Sequence, residues 1–526
     1  MIELPYELCI DVLQYCTSIN TVTCHKTNKI FFYLRTMLPI QICKIYNSNS
    51  GNTYPYYVKN ITFDKYFNQE PTRLPKSLTH IKFGWDFNQK LKNLPSSLVR
   101  LKLGDHFNQE LTDVLPKSLI YIRFGDQFDQ KLKNLPESLT HIIFGDSFNQ
   151  ELTNLPASLT HIIFGWAFNR RLENLPRKLL YIELGHDFGH RLHNLPQLTH
   201  IILKQSHYEL RNLPTSLTHV SFGFGSNFNK QLGKFPQLLT HIKFGNKFNQ
   251  LLTNLPDTLT HIVFGFDFNQ IVQNLPQLLT HIVFGSKFNQ IVDHLPDSVK
   301  YIEFGGDFNQ KLNHLPRSLS HIIFGTMFNQ EFLNLPLSLS HIQFGMDFSQ
   351  ELIFLPNTIT HIKLAWNFNQ HPDNLPNSLI SLTFGENFNQ KVPNLPITLK
   401  YLTFGSKFNQ ELLNLPIALK YLTLGREFNQ KLLDLPESLL YIKFGDLFNQ
   451  EVINWPQSLS HVIFGWQFHS ELRHLPQSLI YITFSNAYDL NLINLPKSLK
   501  HITIKNDVLK KINYKLPKHI KFVHLY

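Results

Sequence analysis

The chain of 526 residues has few cysteines, and all four, Cys9, Cys16, Cys24 and Cys43, lie near its beginning. They show no CxxC spacing, and no secretory leader precedes them. Domains that depend on disulfides belong to oxidising compartments. This cysteine usage therefore favours a reducing compartment, and we expect a cytoplasmic protein.

Long apolar runs are also missing. No stretch of about eighteen apolar residues appears, and recurring proline, asparagine and glutamine would interrupt a membrane-spanning helix. The formal net charge is +11, but the 49 lysines and arginines are scattered through the chain and are not massed in a tail. A scattered basic surface is typical of a solvated face, so we expect no membrane partner, and the charge alone does not indicate nucleic acid.

Catalytic motifs are absent from the sequence as well. It contains no GxSxG nucleophile elbow, no HExxH motif and no phosphate-binding P-loop. The glycine-rich stretch Gly223-Phe224-Gly225 lacks the third glycine of a dinucleotide-binding turn. We therefore predict a protein that is not an enzyme and that uses no cofactor, no metal and no small-molecule substrate.

The chain instead repeats one short phrase. Residues 138–157 read SLTHIIFGDSFNQELTNLPA, and residues 158–177 read SLTHIIFGWAFNRRLENLPR. The slot of Phe148 holds phenylalanine in steps of about twenty residues from Phe67 to Phe468, with a broken unit before Phe228. A fixed period of this length is typical of a solenoid, and with the degenerate units included it predicts about 23 coils.

Within one coil, the spacing of Leu139, Ile142 and Phe144 puts alternate residues on one face of a short strand. These slots stay apolar in every coil, so we predict that they face the core. The slot of Ile143 holds charged or polar residues in many coils, so it must face water, together with the slot of His141.

The rest of the coil reads as turns. Gly145 follows the strand and indicates a backbone position that needs a positive φ or a close approach. Pro156 ends the coil in an extended path, so no long helix fits on its back. Asn149 and Asn154 recur at fixed places, where stacked side-chain amides could bond to the backbone.

The phrase THIxFGxxFNQxLxNLPxSL resembles the FNIP repeat, a relative in shape of the leucine-rich repeats, over about nine tenths of the chain. The resemblance implies a mainly β fold, a leucine-rich-repeat-like parallel β solenoid. We assign residues 58–507 to this solenoid and residues 508–526 to a C-terminal capping coil. The Lys-rich end would then cover the last sheet edge.

The first 46 residues lack the repeat, and their apolar stripe at spacings of three and four predicts short helices. This head resembles an F-box. The resemblance implies docking onto a Skp-type adaptor of a cullin ubiquitin ligase, and the matching contact positions are Leu4, Pro5, Leu8, Val12 and Leu13. We assign residues 1–46 to an F-box-like helical domain and residues 47–57 to a linker. The combination is similar to a family found in giant amoebal viruses and social amoebae, which would place a viral member in the host cytoplasm.

Two outward slots are candidates for recognition. The His141 slot is histidine or tyrosine in most coils, and this exchange favours a stacked ladder over a metal site. The slot after the glycine holds four of the five tryptophans, which are common interface anchors. The residues that we predict to contact a target are Trp85, Trp166, Phe266, Trp366, Trp466, His241, His261 and His281.

Three functions are compatible with this sequence. The first is the substrate-recognition subunit of an SCF-type ubiquitin ligase, with an unknown target protein on the solenoid. The second is a non-catalytic protein-binding scaffold whose N-terminal helices only cap the solenoid. The third is nucleic-acid binding through the outward lysine row, but Glu183 and Glu303 interrupt that row and argue against it.

Overall fold

A computed structural model describes residues 42–45, 58–111, 115–192, 194–204, 213–231, 233–332, 334–392, 394–485, 495–504 and 521–524. The chain forms two compact units, Met1–Leu217 and Thr218–Tyr526. Their boundary falls in the stretch where the twenty-residue period breaks. Each unit is a stack of short parallel strands joined by turns, and none of the described residues is helical.

The strands form where the sequence alternates, because the middle residue of the T-H-I-x-F segment turns inward and its two neighbours turn outward. The first unit contains β1 (Ile42–Ile45), β2 (Asn60–Phe63), β3 (His80–Lys82), β4 (Arg100–Lys102), β5 (Tyr121–Arg123), β6 (His141–Ile143), β7 (His161–Ile163), β8 (Tyr181–Leu184) and β9 (His200–Leu203). The second unit contains β10 (His219–Phe222), β11 (His241–Lys243), β12 (His261–Val263), β13 (His281–Val283), β14 (Tyr301–Glu303), β15 (His321–Ile323), β16 (His341–Gln343), β17 (His361–Lys363), β18 (Ser381–Thr383), β19 (Tyr401–Thr403), β20 (Tyr421–Thr423), β21 (Tyr441–Lys443), β22 (His461–Phe464), β23 (Tyr481–Phe484), β24 (His501–Ile504) and β25 (Lys521–His524).

Within each unit, every strand pairs in parallel with the next strand along the chain, and equivalent residues of successive coils lie side by side. His241 lies opposite His261, and Ile242 lies opposite Ile262. The same register joins β6 to β7, where His141 lies opposite His161. The twenty-residue period therefore becomes a set of continuous rows, one row for each slot of the repeat.

Four apolar slots of each coil form most of the core. Leu139, Ile142 and Phe148 are fully buried, and Phe144 is 3% exposed. The phenylalanines stack both within and between coils: the ring centroids of Phe144 and Phe148 are 3.9 Å apart, and those of Phe144 and Phe164 are 5.4 Å apart. Burial of each ring contributes about 1.5–3 kcal/mol, so neighbouring coils stabilise one another through a shared aromatic column.

Two turns complete each coil. The amide of Leu159 donates to the carbonyl of Pro156 at 3.0 Å, and the hydroxyl of Ser158 donates to the carbonyl of Leu139 in the previous coil at 2.7 Å. Asn154 has a φ of 57°, in the left-handed region, and ten further non-glycine residues share a positive φ, most of them the equivalent asparagine. This asparagine therefore serves a backbone turn, because Asn tolerates that conformation better than most residues.

The other asparagine forms the expected ladder. The Asn149 side-chain Oδ1 accepts from the backbone amide of Asn169 at 3.0 Å. In a complete repeat, the Asn269 Oδ1 accepts from the amide of Asn289 at 2.9 Å and from the Gln290 Nε2 at 3.0 Å. The FNQ triplet thus bonds each coil to the one before it, and its phenylalanine is buried in the core.

The leucine-rich-repeat-like parallel solenoid that the sequence predicts is confirmed. The F-box-like head is not tested in the same way. Its predicted contact positions, Leu4, Pro5, Leu8, Val12 and Leu13, lie outside the described residues. The predicted linker, residues 47–57, also lies outside them. The strand β1 lies inside the range assigned to the head and pairs with β2, with Cys43 opposite Ile61. The strand β25 lies inside the range of the capping coil and pairs with β24.

No described helix has the length and apolar character needed to cross a membrane.

Candidate functional site

The outward surface of the strands consists of two rows. The ladder row contains the first residue of each strand, and the variable row contains the third residue. In β12, His261 and Val263 are half-buried, whereas Ile262 between them is fully buried. In this strand, the middle residue therefore packs into the core and the residues on either side of it lie on the outer surface.

Histidines of the ladder row stack face to face. The ring centroids of His241 and His261 are 4.1 Å apart, and those of His261 and His281 are 4.2 Å apart, with interplanar angles of 11°. Tyrosine continues the stack, since Tyr301 follows His281 at 5.7 Å. The free exchange of histidine and tyrosine in this slot thus reflects a stack of planar rings.

A hydroxyl fixes the orientation of these rings. The Nδ1 of His261 lies 2.8 Å from the Thr260 hydroxyl, and the Nδ1 of His281 lies 2.8 Å from the Thr280 hydroxyl. The Thr260 hydroxyl also reaches the carbonyl of Thr240 in the previous coil at 3.0 Å. The T-H pair of the repeat therefore holds each ring in one rotamer, which explains the regular stacking distance.

Burial makes these histidines hard to protonate, and the stacked neighbours add to the effect. Burial lowers the pKa of His261 to about 4, and the neighbouring His241 and His281 lower it as well. The pKa of His341 is also lowered to about 4, by burial and by His361 and His321. At neutral pH His261 and His341 are therefore uncharged rings.

The geometry of the ladder does not suit a metal ion. Among the described residues, no group of three or more His, Cys, Asp or Glu side chains converges on a common point. The Nδ1 of His261 is already bonded within the protein, and parallel rings direct their nitrogens side by side. A zinc ion needs three or four convergent ligands, so stacking is the role that these distances support.

The large side chains after the glycine lie on the turn that follows each strand. They are about half exposed: Trp85 57%, Trp166 55%, Phe266 48%, Trp366 50% and Trp466 48%. Trp166 stacks on His186 of the next coil at 4.2 Å, and the Trp85 Nε1 donates to the His106 Nε2 at 3.0 Å. Trp85 and Trp166 are thus held in place by a neighbour, although more than half of each side chain is exposed.

The structure brings only some of the candidates together. His241, His261 and His281 lie side by side on adjacent strands, and Phe266 lies on the turn that follows β12. Trp366 and Trp466 lie five and ten coils further along the second unit, whereas Trp85 and Trp166 lie four coils apart in the first. At about 4.8 Å for each coil, the tryptophans are separate anchors and do not form one patch.

One surface feature escaped the sequence analysis, and a second, the outward lysine row, was predicted without its neighbour Arg100. Leu413, Leu433 and Ile453 are 56%, 57% and 61% exposed in the same slot of three successive coils, and they form an apolar row on the back of the second unit. In the first unit, Arg100 replaces histidine in the ladder row and lies beside two lysines of the variable row. Alignment of the coils by slot, with the ladder and variable rows taken together, would have revealed both.

Recesses on the back of the coils are polar. One of about 280 Å³ is lined by charged and amide side chains that include Glu110, Asp129 and Lys131. A second, of about 300 Å³, is lined among others by Lys311, Asn329 and Glu331. Pockets for small molecules are mostly apolar, so these recesses have the character of a solvated surface.

Comparison with known proteins defines the class first. The crystal structure of CroV588, described as a novel circular LRR protein structure, is 37% identical to this chain with a TM-score of 0.72, and the match covers 90% of this chain and 86% of that one. YopM from Yersinia enterocolitica WA-314 is 18% identical with a TM-score of 0.42, over 94% of this chain and 99% of that one. The CroV588 match shows that the chain is a repeat solenoid of the leucine-rich-repeat type, an architecture suited to a protein-interaction scaffold.

The family follows from the repeats themselves. The family model FNIP Repeat matches residues 50–187 and 228–467 as a series of overlapping or adjoining units. The chain belongs to the FNIP repeat family. A search of curated proteins found no match.

Proposed function

We propose that the chain is the substrate-recognition subunit of an SCF-type cullin ubiquitin ligase in the cytoplasm. In this function the F-box-like head docks a Skp-type adaptor through Leu4, Pro5, Leu8, Val12 and Leu13. The solenoid then holds a target protein on its strand face. No residue of the chain has a catalytic role, because ubiquitin transfer belongs to other subunits of such a ligase.

The observation that supports a binding role is the contrast between the inner and outer slots of the repeat. Ile142, Ile162 and Ile182 keep the core slot constant. The adjacent variable row reads Ile143, Ile163 and Glu183. A surface whose chemistry changes from coil to coil on a constant frame is what selective recognition requires.

A pull-down with a purified Skp-type adaptor tests the ligase role. The wild-type chain should retain the adaptor, and the double variant Leu8→Asp, Leu13→Asp should lose it, because both changes put charge into an apolar contact. Trp166→Ala is the control, since Trp166 lies on the solenoid and should leave adaptor binding unchanged. Failure of the wild-type chain to bind would refute the ligase role.

The second candidate is a non-catalytic scaffold whose N-terminal segment only caps the solenoid. The pairing of β1 with β2 favours it, because β1 continues the sheet beyond the first FNIP coil. Deletion of residues 1–46 removes β1 and would then lower the melting temperature of the solenoid without affecting the degradation of any target. Loss of target degradation on the same deletion would favour the ligase role.

A further inference from the structure

The first unit carries a cluster of positive charge on three adjacent strands. Lys82 of β3 lies opposite Lys102 of β4, which lies opposite Arg123 of β5. Arg100 adds a fourth charge from the ladder row of β4 and lies over the Tyr121 ring at 5.0 Å. We call these four residues, Lys82, Arg100, Lys102 and Arg123, the cationic patch.

The cationic patch is not neutralised by its surroundings. Lys82, Arg100 and Arg123 are exposed, and Lys102 is half-buried. None of the ion pairs between described residues includes any of the four. Parallel strands lie about 4.8 Å apart, so four like charges share a surface about 10 Å wide.

The mutual repulsion is visible at Lys102. Burial lowers the pKa of the Lys102 ammonium, and the charges of Arg123, Lys82 and Arg100 lower it further. Burial, together with Asp105 and Asp146, raises the pKa of Asp126, and Arg123 opposes that rise. Arg123 is thus close enough to affect the pKa of Asp126, but the two side chains form no ion pair. A negative partner would relieve this repulsion.

The surface beyond the patch changes character. Arg123 lies opposite Ile143 of β6, and Ile143 lies opposite Ile163 of β7. Both isoleucines are half-buried in the variable row. The next residue of the row is Glu183 of β8, which pairs with Lys204 at 2.7 Å. Along the stack, the variable row therefore runs from cationic to apolar and then to a carboxylate.

This order selects the class of partner. A nucleic-acid strand carries a negative charge at every phosphate, so one that followed the row would move from the patch onto two isoleucines and a glutamate. A polypeptide can change its chemistry along its length. From β3 to β7 the row spans about 19 Å, which an extended chain covers with about six residues.

We propose that the cationic patch and the adjoining Ile143 and Ile163 bind an extended polypeptide segment in which acidic residues are followed by apolar ones. This inference rests on the proposed function, because it names the chemistry of a protein partner for the same face. Lys243 and Lys363 occupy the same row in the second unit, but their register neighbours are uncharged. They therefore provide a matched control.

The experiment is a selection of random peptides from a displayed library on the full-length chain. It is run on the wild type, on the patch variant Lys102→Glu, Arg123→Glu and on the control variant Lys243→Glu, Lys363→Glu. The wild type and the control should enrich the same peptides, with acidic residues followed by Leu, Ile or Val. The patch variant should lose at least about tenfold in affinity for them, which is about 1.4 kcal/mol. The neutral variant Lys102→Gln, Arg123→Gln should lie between the two if charge is the cause.

The outcomes separate this inference from the proposed function. Peptides that are enriched but bind the patch variant as well as the wild type would overturn the cationic patch as their site and leave a protein-binding role in place. Failure of the wild type to enrich any peptide would overturn this inference, and the adaptor pull-down would still test the ligase role by itself. A fluorescent single-stranded DNA bound more tightly than the enriched peptides would assign the patch to nucleic acid and overturn the inference.

Discussion

A Cβ atom on Gly285 would overlap the backbone carbonyl oxygen of Gly265 in the preceding coil. The same relationship recurs from coil to coil, as at Gly145 and Gly125. No described glycine has a positive φ. Glycine therefore occupies this slot because successive backbones touch there, and the turn itself does not demand it.

This contact predicts that Gly285→Ala destabilises the second unit. Overpacking of this kind costs about 1–3 kcal/mol, which chemical denaturation would measure. Ala365 fills the equivalent slot of another coil and is fully buried, so the stack can shift to admit one methyl group, and we expect a weakened fold that still forms. Gly225→Ala is the control, because no atom lies within 4 Å of the position of its Cβ. Equal stability of the two variants would contradict the close approach.

The asparagine ladder gives a second prediction. Asn269→Leu removes the oxygen that accepts from the Asn289 amide and the Gln290 side chain, and a part-buried donor left without a partner costs about 1–3 kcal/mol. Asn269→Asp keeps the acceptor and should be nearly neutral, because Asp129 holds this slot naturally and accepts from the Asn149 amide at 2.8 Å. The melting temperatures of the two variants check this, and a similar loss in both would argue against a ladder.

Sequence reasoning succeeded best for the core of the coil. The slots of Leu139, Ile142 and Phe144 were predicted to face the core, and their burial confirms it. The roles of glycine and of the second asparagine were harder to assign. A recurrent Gly indicates either a positive φ or a close approach, and a recurrent Asn indicates either a side-chain ladder or a left-handed turn. In each case the two alternatives leave the same pattern in the sequence. Only the backbone conformation shows that Asn154 has the positive φ.

The candidate site was predictable in its parts but not in its assembly. Strand alternation correctly places the ladder and variable rows on the outside, as the half-buried His261 and Val263 illustrate. The cationic patch depends on the register of Arg100 beside His80 and of Lys102 beside Lys82. It also depends on where an extra residue lengthens the coil before Tyr121. The lysine row is visible in the sequence, but its grouping with Arg100 follows only when coils of unequal length are placed in register.

A third prediction is that Trp166 contributes to target binding but little to the stability of the fold. Its ring is 55% exposed and stacks on His186, so Trp166→Ala should cost less than about 1 kcal/mol of stability. If Trp166 anchors the target, the same change should weaken binding of the purified target by about 2 kcal/mol or more. Ile417→Ala, an apolar change at a side chain that is 79% exposed on a different turn, is the control. Equal binding by the wild type and both variants would remove Trp166 from the interface.

The histidine ladder predicts acid sensitivity. In the unfolded chain, histidines bind protons below their ordinary pKa of 6.5, whereas the pKa of folded His261 is lowered to about 4. Between these values the unfolded state binds more protons, so stability is fully present above about pH 6.5 and falls as the pH drops towards about 4. The triple variant His241→Tyr, His261→Tyr, His281→Tyr should keep the stack, because Tyr301 already continues it, and should lose part of this acid sensitivity.

Thermal melts at about pH 7.5 and about pH 5 would measure the effect, at about 2–4 °C for each kcal/mol in a unit of this size. The wild type should lose more of its melting temperature between the two pH values than the triple variant does. His294→Tyr, at an exposed histidine outside the strands, should behave like the wild type. Its melts also account for acid effects that arise elsewhere in the chain. An identical fall in all three proteins would show that ring stacking does not couple the ladder to stability.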